Sequence, residues 1–144
     1  MDVEFKLRAF ILAACLFAPI ASHATDLRVF EQELILRENC SLEVRRSDGA
    51  VEIKEFPFEN KNKCVVLPVA ETNIPRIELV RGDYVLLIES QIDSGENCRG
   101  ELVGVIISRR GKVSVGSKIQ RRGICGHGER KNFEVLHYHA TTNP

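Results

Sequence analysis

Hydrophobic and polar residues alternate along much of this chain, with the two-residue period that is typical of β-strands. From Cys40 to Arg45 every second residue is apolar, and the alternation resumes from Val51 to Ile53, beyond the dipeptide Asp48-Gly49. Asp-Gly between two alternating runs is a strong hairpin signal. A β-hairpin with its turn at residues 47–50 is therefore predicted.

A second hairpin and a central strand are predicted in the later part of the chain. The runs Leu102–Ser108 and Lys112–Ile119 flank Arg109-Arg110-Gly111, in which Gly111 can take the left-handed turn position. Tyr84–Ile88 is apolar at nearly every position, as expected of a strand that is buried on both faces.

The rest of the chain is also expected to form short strands, and no segment has a pattern that predicts a helix. Further strands are expected at 28–36, 64–69, 76–80 and 132–137. Pro57, Pro68 and Pro75 fall near strand ends or in loops, where a missing N–H donor is tolerated. The prediction is an all-β fold, a small antiparallel sandwich or barrel-like domain of seven to nine short strands.

The N-terminal segment has the three parts of a secretory leader. Lys6 and Arg8 precede an apolar run at 9–21, and Ser22-His23-Ala24 offers small residues at a signal-peptidase site. We expect residues 1–24 to be a cleaved signal peptide and no membrane span to remain, since the run of about 13 residues is shorter than the roughly 20 that cross a bilayer. An alternative is lipid attachment at Cys15, which ends a lipobox-like stretch. Either way a bacterial periplasmic or secreted location is predicted.

The mature chain, 25–144, has the length of one domain and carries four cysteines in two similarly spaced pairs. Cys40 and Cys64 form the first pair, Cys98 and Cys125 the second, and the first cysteine of each pair follows Glu-Asn. An even number of cysteines in an oxidising compartment predicts two disulfides. Three pairings are possible, and we favour Cys40–Cys64 with Cys98–Cys125, because each bridge would then clamp one hairpin.

The repeated Glu-Asn-Cys tripeptide also suggests an internal duplication. In both halves, 25–75 and 76–144, an apolar strand leads to the tripeptide, and a strand, a glycine-containing turn, a strand and a second cysteine follow. The domain is therefore expected to consist of one unit with two related halves.

Part of the second half resembles a known pattern. Gly82–Ser90, Cys98, Gly111-Lys112-Val113 and Gly123–Gly126 are similar to positions in small secreted bacterial disulfide-bonded β-domains of unknown function. The resemblance implies a bacterial envelope protein with a Cys98–Cys125 bridge, and it implies no activity. The chain departs from the pattern at Arg99, where those domains often have proline.

Charge is distributed unevenly along the mature chain. Residues 25–96 contain 9 basic and 15 acidic side chains, a net charge of −6, whereas residues 97–144 contain 9 basic and 3 acidic ones, a net charge of +6. The predicted partner-binding residues are the basic ones near the second hairpin and the second cysteine pair: Arg109, Arg110, Lys112, Lys118, Arg121, Arg122, Arg130 and Lys131. The alternative is that the acidic and basic halves face each other. Nucleic acid is not an expected partner, because the basic run lacks interleaved stacking aromatics.

Candidate catalytic chemistry is sparse. His137 and His139 would share one face of a strand and, with His127, could offer three ligands to zinc or copper. Against this, the last two lie near the C-terminus, and surface histidines are the simpler interpretation. No nucleophile motif or phosphate-binding glycine loop is present in the mature chain. No catalytic residue, metal site or cofactor is therefore predicted.

The sequence thus favours an exported binding protein over an enzyme. The leading hypothesis is a periplasmic inhibitor or immunity-type protein that occludes an envelope-acting enzyme or toxin. A structural module that holds an anionic cell-wall or lipopolysaccharide polymer is the alternative, and a metal-dependent enzyme that uses His127, His137 and His139 is a second alternative.

Overall fold

The computed structural model describes residues 25–93 and 95–142. The predicted signal peptide and the alternative lipid attachment at Cys15 lie outside these residues. Over the described residues the chain forms ten antiparallel strands in two sheets and one C-terminal helix, which confirms the mostly β fold. No helix in this part of the chain is long and apolar enough to span a bilayer.

The first sheet is a four-stranded meander. Its strands are consecutive in sequence and adjacent in space: β1 (Thr25–Val29), β2 (Gln32–Leu36), β3 (Ser41–Arg45) and β4 (Val51–Glu55). The predicted hairpin at Asp48-Gly49 joins β3 to β4, and the Asp48 carboxylate accepts a hydrogen bond from the Ala50 N–H at 2.9 Å. The single strand predicted over 28–36 is wrong, because Phe30 and Glu31 form a tight turn between β1 and β2.

The second sheet has six strands built around a long central pair. Its strands are β5 (Lys63–Val66), β6 (Ile77–Val80), β7 (Asp83–Gln91), β8 (Gly100–Ile107), β9 (Val113–Val115) and β10 (Gln120–Arg122). β7 and β8 lie at the centre; β5 and β6 pair with β7, while β9 and β10 pair with β8. The hairpin predicted around Gly111 is confirmed as β8–β9, and Gly111 has the expected positive φ of 77°.

β7 and β8 are buried on both faces, as predicted for Tyr84–Ile88. On one face Leu86 and Ile88 pack with Leu34 and Leu42 of the first sheet. On the other face Val85 and Leu87 belong to a second core that includes the helix α1 (Arg130–Thr142). Because each face of the central strands has its own covering layer, near-continuous apolar runs are stable there.

The helix replaces the strand that the sequence predicts at 132–137. That prediction, and the expectation that the fold has no helix, are wrong. Phe133, Leu136 and Ala140 are spaced three and four residues apart, so a helix brings all three to the sheet, where they contribute to the second core. The segment is too short for its sequence to distinguish the two-residue period of a strand from the period of a helix. Burial of its apolar side chains against β7 and β8 selects the helix.

Both predicted disulfides are present. Cys40 bonds to Cys64, and Cys98 bonds to Cys125. The first bridge does not clamp one hairpin as expected, because Cys40 directly precedes β3 of the first sheet whereas Cys64 lies in β5 of the second. It therefore ties the two sheets together. The second bridge joins the segment before β8 to the segment after its neighbour β10. The internal duplication stays a prediction.

Candidate binding surface

The eight predicted partner-binding residues do not form one patch. Arg109, Arg110 and Lys112 lie in the turn after β8, whereas Arg121 and Arg122 of β10 pair with the first residues of β8. β8 has eight residues, which separates its two ends by about 25 Å. Lys118 lies in the loop between β9 and β10, and Arg130 with Lys131 opens the helix.

Acidic residues of the segment 25–96 neutralise two of these cations, Arg121 at the β10 end and Arg130 at the start of the helix. Arg121 lies 2.5 Å from a carboxylate oxygen of Glu59 and 3.6 Å from one of Glu101. Arg130 lies 3.4 Å from Glu78 and 3.1 Å from Glu134. The alternative that the acidic and basic halves face each other therefore holds for these two cations. The half-buried Arg122 has no ion pair within the described residues, and its Nη1 has no hydrogen-bond partner.

At the opposite end of β8, three turns meet. They are the β1–β2 turn at Phe30-Glu31, the β6–β7 turn at Arg81-Gly82 and the β8–β9 turn at Arg109–Lys112. Arg109 Nε donates a hydrogen bond of 3.0 Å to the Gly82 carbonyl, and Gln32 Nε2 donates one of 2.5 Å to the Gly111 carbonyl. We call the outward side chains of these turns, Phe30, Arg81, Arg109, Arg110 and Lys112, the three-turn surface.

The cations of the three-turn surface are exposed and unneutralised. Within residues 25–93 and 95–142, Arg81, Arg110 and Lys112 form no ion pair, and Arg109 bonds only to a backbone carbonyl. Gly82 has a positive φ of 92°, and a Cβ there would lie 2.6 Å from an Arg109 nitrogen, so glycine lets that side chain cross the turn. Unpaired cations in neighbouring turns add their potentials and attract anionic groups.

Phe30 is presented on a strained backbone. Phe30 and Glu31 have φ values of 49° and 59°, a region that two-residue hairpin turns normally fill with Asn-Gly. A non-glycine residue held there costs about 1–3 kcal/mol. Phe30 is nevertheless 46% exposed, and its ring packs edge-on against Tyr84 of β7, with 5.3 Å between the ring centroids.

The sequence reasoning missed Phe30, although a signal was present. The apolar residues Leu27 and Val29 stand at odd positions, whereas Leu34 and Leu36 stand at even ones. One continuous strand would keep a single phase, so this shift marks the turn between them. Phe30 lies at the break.

A strip of exposed apolar residues continues from the three-turn surface along the edge of the second sheet. Leu79 of β6 is directly opposite Tyr84 on the same face, which connects it to Phe30. We call Val69, Ile74, Ile77 and Leu79 the apolar edge; their exposed fractions are 43%, 64%, 36% and 54%. Contiguous exposed apolar surface beside charged residues is typical of interaction sites.

His127, His137 and His139 do not assemble a metal site. His137 is buried on the helix, with its Nε2 2.9 Å from an Asp83 carboxylate oxygen, and His139 is about 200° further round the same helix. The prediction that these two share a face is therefore wrong. His127 lies in the exposed loop before the helix. No group of three His, Cys, Asp or Glu side chains suited to a metal occurs in the part of the chain that the structure describes.

Two buried carboxylates hold loops in place. Glu89 and Glu101 lie at adjacent registers on opposite faces of the second sheet. Glu89 accepts a hydrogen bond of 2.8 Å from the Gly126 N–H, and Glu101 accepts one of 3.1 Å from the Glu59 N–H. Because the sheet separates them, they cannot act on one substrate as an acid–base pair.

Comparisons with protein-family models, curated proteins and solved structures find no match for this chain. Of the resemblance to secreted bacterial β-domains, the structure shows the coarse part, a small, mostly β domain with two disulfides.

Proposed function

We propose that this chain is an exported binding protein of the periplasmic inhibitor or immunity type, which occludes an enzyme or toxin that acts on the bacterial envelope. The observation that carries the proposal is the three-turn surface, where a partly exposed aromatic residue on a strained turn lies beside two turns whose cations form no ion pair within the described residues. Backbone strain that persists in a fold is often associated with function.

The chemistry of this surface suits protein recognition. Aromatic and arginine side chains supply most of the binding free energy in many interfaces. Phe30 is fixed by its contact with Tyr84, and the β8–β9 turn is fixed by the hydrogen bonds to Gly82 and Gly111. Less conformational entropy is lost on binding when such groups are already ordered.

The charges of the surface indicate the kind of partner. Arg81, Arg109, Arg110 and Lys112 would accelerate association with an acidic surface, and Phe30 would enter an apolar depression within it. The partner is therefore an envelope protein with an acidic cleft. Two disulfides support an oxidising compartment, as the predicted signal peptide does.

The test uses oxidised mature protein, residues 25–144, as bait on an envelope extract of its own organism at two salt concentrations. We expect a one-to-one complex with one protein, and an association rate that falls at least tenfold in R109E/R110E. The matched control is K118E/K131E, which makes the same charge change at two exposed residues away from the three-turn surface. Recovery of no specific protein, or equal slowing by both double variants, would overturn the proposal.

The unneutralised cations also support a second candidate, a module that holds an anionic wall polymer or lipopolysaccharide. Such binding depends on charge more than on the aromatic ring. Retention on purified peptidoglycan or lipopolysaccharide that is lost at high salt, and is unchanged by F30A, would favour this candidate over a protein partner.

A further inference from the structure

β6 is an edge strand with an open side. In the described part of the chain it pairs with β7 alone. In an antiparallel pair, alternate backbone N–H and C=O groups point away from the neighbouring strand. The outer groups of Ile77–Val80 are therefore positioned to pair with a further strand.

Other edges of the two sheets carry features that discourage such pairing. Charged side chains lie on β1, β4, β5 and β10, β9 has only three residues, and the loop between β5 and β6 is closed by a bridge between Pro68 and Pro75. Natural proteins commonly use charges and prolines in this way to block edges. β6 carries one charged side chain, Glu78, which is paired with Arg76, and on its other face it presents Ile77 and Leu79, both exposed.

The charges around β6 are unequal at its two ends. Arg81 follows its last residue and has no ion pair within the described residues, and Arg109 lies over the next residue, Gly82. At the start of β6, by contrast, Arg76 is neutralised by Glu78 at 2.6 Å. An incoming strand therefore meets uncompensated positive charge at one end only.

We infer that β6 accepts an extended segment of the partner as an additional strand, with apolar residues over Ile77 and Leu79 and acidic residues beside Arg81. The inference rests on the proposed binding function and specifies how the partner is recognised. Main-chain hydrogen bonds supply affinity in this mode, and alternate side chains supply specificity. A second copy of this chain fits less well, because antiparallel pairing of two β6 strands would place Arg81 of each copy beside Arg76 of the other and would give it no acidic partner.

The probe is a phage-displayed library of random decapeptides, selected on immobilised oxidised protein. We expect enriched sequences with apolar residues at alternate positions and Asp or Glu at one end. A synthetic copy of the strongest peptide should slow hydrogen exchange of the outward amides of β6 at least tenfold. N-methylation of the alternate peptide amides that face β6 in one methylation phase should abolish binding. N-methylation in the other phase, at the amides that face away from β6, should not.

Substitution in β6 provides a second measurement. L79K should weaken peptide binding at least tenfold, whereas Y138K, a matched change at an exposed residue of the helix, should leave it unchanged. The inference is overturned if no peptide is enriched, if both methylation phases bind equally, or if binding leaves β6 exchange unaltered.

Failure of this inference can be told apart from failure of the proposed function. If the envelope extract yields a partner but β6 amides exchange at the same rate in that complex, strand docking is wrong and the binding function stands. If peptides dock on β6 as strands but no envelope protein is recovered, strand docking on β6 stands and the proposed function falls.

Discussion

The ring of Phe30 packs edge-on against the ring of Tyr84, and this contact joins the β1–β2 turn of one sheet to the central strand of the other. An aromatic pair of this kind contributes about 0.5–1.5 kcal/mol beyond its buried area. The positive φ values of Phe30 and Glu31 cost about 1–3 kcal/mol each. The contact therefore does not offset the strain, and the turn lowers the stability of the fold.

Replacement of the strained dipeptide should separate stability from binding. In F30N/E31G the turn receives residues that favour positive φ, so we expect the free energy of unfolding to rise by about 1–2 kcal/mol. The affinity for the partner should fall at least tenfold, because the exposed ring is lost. Urea denaturation and titration calorimetry measure the two effects.

The control for this prediction is E31G, which relieves strain at one residue and keeps Phe30. It should raise stability by a smaller amount and preserve partner affinity. A double variant that is less stable than the wild type, or that binds as tightly, would contradict the interpretation of the turn.

Local patterns in the sequence predict much of the fold. Asp48-Gly49 and Gly111 carry the turn chemistry of two hairpins, and Tyr84–Ile88 carries the composition of a doubly covered strand. The helix could not be predicted in the same way, because Phe133 and Leu136 suit a strand or a helix until the sheet that buries them is known.

The candidate site was less predictable, because it depends on contacts between distant residues. The sequence shows that Arg109, Arg110, Arg121 and Arg130 are basic, but not which of them meet acidic side chains. The fold brings Arg121 to Glu59 across a sequence separation of 62 and leaves the β8–β9 turn without such partners. Pairing across the fold thus decides which part of the basic half is available to a partner.

The different roles of the basic residues predict different effects on stability. R121A should lower the free energy of unfolding by about 1 kcal/mol, since it removes the counter-charge of the buried Glu101. R110A removes an exposed side chain that has no ion pair, so it should change the free energy of unfolding by less than about 0.5 kcal/mol. Thermal denaturation at low and high salt checks both, and the effect of R121A should shrink in salt. Equal effects of R121A and R110A on stability would contradict the different roles given to these two arginines.

The two disulfides should stabilise different parts of the molecule. In the chain-entropy model, closing a loop of this length stabilises the folded state by about 3.5 kcal/mol. C40S/C64S and C98S/C125S should therefore lower the free energy of unfolding by similar amounts. Hydrogen exchange should distinguish them. Loss of Cys40–Cys64 should accelerate exchange throughout β1–β4, because that bridge ties the first sheet to the second. Loss of Cys98–Cys125 should accelerate exchange at 123–129 and leave the first sheet unchanged.

Gly100 leaves space for the buried carboxylate of Glu89, since a Cβ at position 100 would lie 2.7 Å from Glu89 Oε1. Glycine to alanine in a strand is otherwise favourable by roughly 0.5–1 kcal/mol. We expect G100A instead to destabilise the fold by about 1–3 kcal/mol, the usual cost of overpacking. G123A, with open space around its Cβ, should be nearly neutral. In an E89A background the cost of G100A should largely disappear, whereas additive costs in that double-mutant cycle would show that the clash with Glu89 is not its cause.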